Sequence, residues 1–327
     1  MNRSNPVSRR LFVKSTSAAA AAVALPALSQ SDWPGGPVRL LLGLPVGGQA
    51  DVVARSLAVE LEKRIGKPVL VDNRPGGQFA ISVQALLNAP ADGRTVLYIY
   101  NGNATVNATT KLYDLERDTA PVTQLSYQPV VMLVGGKSQH KSARELFAWA
   151  KANPGKLNFA SVGAGTLEHL KWLQIEKSLG YTGTAIQYQG GPQSLQALMS
   201  GDIDVLVTAG MFAKMYAPTG AVKVISVLEP KRWEDFPEVP TIAEAGINVP
   251  PMGYWGGWVV KAGTPTDIVQ RLYRELTAAW AAPSLNELLA STGTYRAVSK
   301  SPEEFRSLIR SEVAWMRESA KGLDLSK

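Results

Sequence analysis

Residues 38–55 read VRLLLGLPVGGQADVVAR, and this stretch decides the fold. Val38–Leu44 is a continuous apolar run, which marks a strand buried on both faces of a parallel sheet. Pro45 to Ala50 interrupt it with two adjacent glycines. From Asp51 onward the apolar residues Val53, Leu57, Leu61 and Ile65 recur at helical spacing until Gly66 stops the helix. Strand, tight loop and helix in that order are the opening of a βαβ unit.

The pattern repeats on the C-terminal side. Val69–Val71 is a second strand, a helix runs from about Phe79 to Asn88, and Ala91-Asp92-Gly93 turns the chain into a strand at Thr95–Tyr100. It restarts near Pro129 with strands at Val130–Val134, Leu157–Ser161, Ala185–Tyr188, Val205–Val207 and Val222–Val227. Helices at Ala143–Ala152, Leu167–Leu179 and Pro192–Ser200 lie between them. The last third offers a strand near Trp258–Lys261 and helices at about 266–281, 284–291 and 302–322. The expected architecture is two α/β domains, each a mostly parallel sheet flanked by helices. Crossings near Gln128–Pro129 and Pro250–Met252 divide them into 32–128 plus 252–327 and 129–251.

Ahead of this body, Ser8–Lys14 read Ser-Arg-Arg-Leu-Phe-Val-Lys, followed by an alanine-rich run to Leu28. A basic segment, a short apolar segment and small residues form the layout of a twin-arginine export signal. The run is short of the roughly 20 residues of a membrane span. Residues 1–31 therefore read as a signal cleaved after Ala27 or Ser29, with the working chain in the periplasm.

The 327-residue chain has no cysteine and two histidines, His140 and His169. Disulfides, thiolate nucleophiles and cysteine metal sites are excluded, and no cofactor or metal is expected. The net charge of +7 falls to about +3 once Arg3, Arg9, Arg10 and Lys14 leave with the signal. That balance lacks the basic stripe of a nucleic-acid binder.

Two Gly-rich strand-to-helix loops carry the ligand chemistry. In Val46-Gly47-Gly48-Gln49 the glycines let backbone N–H groups approach a ligand, and the next helix points its positive end at the same place. An ordinary tight turn is the other reading of this loop, and the Gly-Lys-Ser/Thr of a nucleotide loop is missing. In Ser161-Val162-Gly163-Ala164-Gly165-Thr166 the hydroxyls add donors, and Thr166 is a candidate helix cap. A dinucleotide fingerprint needs Gly where Glu168 stands, and a hydrolase nucleophile elbow needs Gly where Phe159 stands. His169 reads as a packing or capping residue, and Asp202 and Asp204 as turn or cap residues. Tyr254, Trp255 and Trp258 read as core aromatics or as the lining of a cleft. Two anion-binding helix starts, one per α/β unit, suggest a cleft that grips one acidic ligand from both sides.

These segments resemble the extracytoplasmic solute receptors of tripartite tricarboxylate transporters, the Bug receptor family, over almost the whole mature chain. The shared pattern comprises Pro34…Pro37-Val38-Arg39, Val46 to Arg55, Val71-Asp72-Asn73-Arg74-Pro75-Gly76 and Ala91-Asp92-Gly93. It continues with Ala152 to Asn158, Ser161 to Leu170, Tyr188-Gln189-Gly190, Val239 to Gly246 and Ala262-Gly263-Thr264-Pro265. The resemblance implies a non-enzymatic, two-domain periplasmic binding protein of type II-like fold. Such a receptor closes on a carboxylate and hands it to a tripartite tricarboxylate-type membrane transporter, and it is expected to act as a monomer.

Carried over residue by residue, Gly47 and Gly48 would supply one carboxylate grip and Ser161, Gly165 and Thr166 the other. Tyr188 and Gly190 would border the cleft. Val46, Gln49, Asp51, Phe79, Asn101, Gly163 and Thr208 complete the candidate set. Departures matter: Gln49 and Ala50 replace a Gly and a Thr, Phe79 brings a ring into a Gly-rich stretch, and Thr208 replaces a common Asp. The loss of that Asp disfavours a zwitterionic ligand, while Phe79 and Met211-Phe212 hint at an apolar or aromatic carboxylate. A ligand sensor for a membrane signalling protein is the alternative function, and a periplasmic hydrolase a weaker one.

Overall fold

The apolar run after Pro37 forms strand β1 (Val38–Leu42). Leu40, Leu41 and Leu42 are buried because both faces of the sheet are covered. The computed structural model describes Met1 and residues 33–325, so the export signal and its cleavage site lie outside the described residues. Helix α1 (Gln49–Ile65) follows and ends on Gly66 in the left-handed conformation, whose N–H donates to Glu62 O. Then come β2 (Val69–Asn73), α2 (Ala80–Leu87), β3 (Thr95–Tyr100), α3 (Asn101–Thr109) and α4 (Leu115–Asp118). The middle of the chain supplies β4 (Thr119–Gly135), α5 (Ala143–Ala152), β5 (Leu157–Ser161), α6 (Leu167–Leu179), β6 (Gly183–Gln187) and α7 (Gly191–Ser200). It continues with β7 (Val205–Ala209), α8 (Gly210–Tyr216) and β8 (Val222–Val227). The last third adds β9 (Gly253–Lys261), α9 (Thr266–Trp280), α10 (Asn286–Ser291), β10 (Tyr295–Arg296) and α11 (Pro302–Ser319).

These strands form one sheet in the order β2-β1-β3-β9-β4-β7-β5-β6, with β8 and β10 also pairing with β4. The parallel pairs β2–β1–β3 and β6–β5–β7 lie toward the two ends. Between them β9 and β4 run antiparallel to their neighbours. β4 is the through-strand: Thr119–Pro129 pairs with β9, and Val130–Gly135 pairs with β7 and β8. The last helices return to the β1 end, α9 packing on α1 and α11 on α3. Residues 34–327 make up a single compact unit.

Sequence reading placed a strand only at Val130–Val134, whereas β4 begins eleven residues earlier in the chain, at Thr119. Pro121 and Pro129 read as breaks, and two register shifts, at Pro121/Thr123 and Gln124/Ser126, spoil the period-2 pattern. β9 likewise begins at Gly253 rather than near Trp258. Its glycines are there for close packing, because a Cβ on Gly256 would lie 2.2 Å from Tyr98 Oη and one on Gly257 2.4 Å from Phe305 Cζ. Helix α3 was not expected at all. Its Asn, Gly and Thr are poor helix formers, and burial of Ala104, Thr105 and Val106 holds it.

Candidate functional site

In open α/β sheets the crevice beyond the carboxyl ends of the parallel strands is where ligands sit. Here those ends meet across β4 and enclose a cleft of about 110 Å³. That is below the few hundred Å³ of sites for drug-sized molecules and suits a small metabolite. The β1 end contributes Leu44, Pro45, Gly48, Gln49, Ala50 and Phe79. β3, β4 and β9 contribute Tyr98, Tyr100, Gln128 and Tyr254. The β5 end contributes Ala160 to Val162, Glu168, Gln189 to Pro192, Ser194, Leu206 to Ala209 and Phe212.

Two helix N-termini converge on this space. The first belongs to α1, whose opening residues Gln49 and Ala50 line the cleft just after Gly48. The second belongs to α7, with Gly191, Pro192 and Ser194. The first N–H groups of a helix have no partner inside it, and the macrodipole adds positive potential there. Such ends attract a carboxylate without any cationic side chain. Among the described residues lining the cleft there is no Lys, Arg or His.

Of the candidate residues, Gly48, Gln49, Phe79, Ser161, Gly190 and Thr208 line the cleft. The others lie outside its lining, each for a visible reason. Val46 is 64 % exposed on the loop's outer side. Gly47 donates its N–H to Asp51 Oδ2 at 3.0 Å, so this donor serves the loop itself. Asp51 is buried and also takes Arg55 Nη2 at 2.8 Å and Arg55 Nε at 3.1 Å. Burial pushes its carboxyl up, but the bonds from Arg55, Gly47 and Asn73 outweigh this and hold it below the usual carboxylate range.

Asn101 donates to Gly253 O at 2.7 Å and lines a separate cavity with Lys171 and Glu312. Thr166 Oγ1 donates to Gly163 O at 2.7 Å, which makes it a tie inside the loop and not a side-chain cap. Gly165 donates its N–H to His169 Nδ1 at 3.0 Å, and its carbonyl accepts from Thr109 Oγ1 at 2.7 Å. Gly163 is bonded to Ser161 Oγ through both its N–H and its carbonyl, each at 3.2 Å. Tyr188 packs on the core behind α7 and donates its N–H to Ser161 O at 2.8 Å. The glycine-opened helix start at the cleft is thus that of α7, whereas α6 reaches the cleft through the Glu168 side chain. The α6 loop instead ties the two ends of the sheet together.

His169 is buried, and burial pushes its ring below the ordinary histidine value against an opposing effect of Asp324. Its Nδ1 acceptor role requires the neutral ring. Asp202 accepts from Ser200 Oγ at 2.7 Å within its own turn, whereas Asp204 Oδ2 accepts from Asn158 N at 2.7 Å and ties the chain ahead of β7 to β5.

Gln78 and Phe79 have φ of 53° and 68°, an uncommon pair of left-handed non-glycine residues. This backbone aims the Phe79 ring edge-on at Tyr100, with ring centroids 5.4 Å apart. It also sends Gln78 Nε2 across to the carbonyl of Ala164. Gln49, which replaces a small residue in that loop, turns its amide to Thr292 O at 2.9 Å and Thr294 Oγ1 at 2.8 Å.

Tyr98, Tyr100, Gln128, Glu168 and Ser194 were not among the expected ligand residues, while Tyr254 lines the cleft, one of the two readings given for its aromatic cluster. Tyr100, at the carboxyl end of its strand, stood where the crevice rule points. Glu168 was read only as a missing glycine. Phe212 lines the cleft as its position hinted, whereas Met211 is part of the core.

A cleft with helix N-termini on both walls, at the carboxyl edge of a sheet spanned by one long strand, defines a solute-binding protein. The chain belongs to the tripartite tricarboxylate transporter family receptors (TctC), whose model matches residues 53–323. It is 33 % identical over 289 residues to the "UPF0065 protein in gbd 5'region" of Cupriavidus necator, covering 86 % of this chain and 88 % of that one. The periplasmic binding protein BugD superposes with a TM-score of 0.83 at 26 % identity, over 88 % of this chain and 98 % of that one. MatC of Rhodopseudomonas palustris with bound malate gives 0.82 at 25 % identity, over 88 % and 100 %. R. palustris Rpa4515 with adipate gives 0.82 at 27 % identity, over 88 % and 97 %. The fold is that of periplasmic binding proteins, as the sequence pattern implied.

Proposed function

We propose that this chain is a periplasmic receptor that captures one small carboxylate and presents it to a tripartite tricarboxylate-type membrane transporter. The chain acts as a monomer, and its two lobes, 32–128 with 252–327 and 129–251, close on the ligand about the β4 crossing. The chain reaches the periplasm by the twin-arginine route and performs no chemistry on its ligand. The observation that carries this reading is the convergence of the α1 and α7 N-termini on one small cleft. Solved relatives with malate and adipate support the ligand class. Gly48, Ser161, Gly190 and Thr208 lie where they would hold the carboxylate, and Phe79 and Phe212 where they would pack on its carbon chain. A thermal-shift panel of malate, adipate, tricarboxylates and aromatic monocarboxylates, followed by calorimetry, tests it. Stabilisation by at least one carboxylate is expected. No stabilisation by any of them, at concentrations where neutral analogues are also silent, would overturn the reading.

A further inference from the structure

Glu168 stands in the first turn of α6 and lines the cleft, yet no expectation gave it a role. Its Oε1 accepts from Tyr254 Oη at 2.8 Å. Its Oε2 is buried and has no hydrogen-bond partner. The titratable groups facing it are phenols: Tyr254 on β9, and on β3 Tyr100, whose ring centroid lies 5.6 Å from that of Tyr254, with Tyr98 beyond. Helix α3, packed against α6, has the sequence NGNATVNAT and offers no ionisable side chain. On α6 itself, His169 turns to Gly165 N, and Lys171 to Gln174 and Pro250 O. Asp324 acts on His169, and Glu312 of α11 lies by Trp255 in the separate cavity.

An isolated buried carboxylate is costly unless paired, and it neutralises instead. Burial pushes Glu168 above the ordinary carboxyl value, against the opposing bonds from its own backbone N–H and from Tyr254. A ligand carboxylate brings a second negative charge into the same small space. Two carboxyls sharing a site do not both ionise, and they titrate as a pair. A neutral carboxyl has an O–H to donate, which turns that repulsion into a hydrogen bond to the ligand.

We propose that Glu168 is a ligand-selecting residue of the cleft: in its neutral form Oε2–H donates to a carboxylate of the solute, which is captured together with one proton from solvent. The proposal rests on the carboxylate reading above and adds to it that the receptor favours anions able to accept this hydrogen bond.

Calorimetry of the mature chain with adipate and with malate, in two buffers of different ionisation heat, counts the protons. Uptake approaching one proton per ligand is expected for the wild type. Affinity should strengthen up to about tenfold per unit fall in pH between roughly pH 8.5 and pH 6.5, where these ligands and His169 hold their charge states. Glu168→Gln, whose amide is a permanent donor, should bind more tightly than the wild type at about pH 8 and lose both the proton uptake and the pH slope. Binding without proton uptake, or a more than tenfold loss of affinity in Glu168→Gln with an unchanged melting temperature, would overturn the proposal. The latter result would assign a charged Glu168 to a cationic group of the ligand. If neither adipate nor malate binds the wild type, the carboxylate reading is what fails for these probes. Infrared difference spectra of ligand-free wild type against Glu168→Gln then decide separately. A protonated carboxyl band that persists at about pH 5.5, above the ordinary glutamate range, supports a carboxyl poised to take up the proton, and its absence refutes it.

Discussion

Asp51 was read as a ligand residue because it closes a Gly-rich loop, and its side chain is only 3 % exposed. Its carboxylate accepts three hydrogen bonds, one from Gly47 and two from Arg55, so it shapes the loop that a ligand meets. Asp51→Asn keeps the size and removes the charge. With Arg55 half exposed, a loss of about 1–3 kcal/mol in urea unfolding is expected, the range of hydrogen bonds to a charged group. An unchanged midpoint would mean that the loop holds its shape without the ion pair. His169 gives a second test at this scale. Its folded value is lowered by burial, so between that value and about 6.5 the unfolded chain binds more protons. Stability should therefore fall as pH drops from about 7 through that window and level off below the folded value. His169→Asn, which offers an acceptor near the Nδ1 position and does not titrate, should flatten this slope in melting curves. A wild-type slope that survives the substitution would assign it to other groups.

At the scale of elements, the start of α1 was legible because a buried strand, two glycines and a helical period meet within a few residues. The other wall was harder. Gly163 and Gly165 resemble an anion cradle in sequence, but their polar groups are consumed by Ser161, His169 and Thr109. The glycine-opened start at the cleft belongs to α7, and Gly190-Gly191-Pro192 carried that signal, since Pro suits the first turn of a helix. Long-range hydrogen bonding is not written in local pattern, so the choice between two Gly-rich loops could not be made from sequence. The same limit hid α3 and the first half of β4, which tertiary burial and bulges hold in place. Gly190 lies at φ 155° and ψ −175°, a region left to glycine. An added Cβ would stand 2.8 Å from Pro45 Cγ on the opposite wall. Gly190→Ala should cost about 1–3 kcal/mol of stability and, by propping the walls apart, weaken adipate or malate binding. Wild-type affinity in a folded Gly190→Ala protein would show that the walls need not meet there.

At the scale of the whole molecule, what matters is how the two ends of one sheet are joined. β4 runs unbroken through both, and Pro129, at the change of partners, has no N–H to give. Beside it, Val130 N and Tyr127 Oη both donate to Glu229, at 3.2 and 2.5 Å. Away from β4 the side-chain connections between the two ends include Gln78 Nε2 to Ala164 O, Thr109 Oγ1 to Gly165 O, Tyr254 Oη to Glu168 Oε1 and Trp233 Nε1 to Tyr295 Oη, with Pro45 close to Gly190. Under the closure proposed above, opening would break these polar contacts and leave both cores intact, and closing would reset them and exclude water from the ligand. Gln78→Ala with Thr109→Ala removes two of these side-chain latches without touching the cleft floor. Each neutral hydrogen bond contributes about 0.5–1.5 kcal/mol, so loss of two should speed ligand dissociation roughly 5–150-fold by the usual conversion. Solution scattering should show a larger radius of gyration for the ligand-free double variant than for the wild type, with the difference shrinking at saturating adipate or malate. Equal radii in all four states would mean that the ends of the sheet do not part, and that the solute enters by a local opening such as the strained turn at Gln78–Phe79.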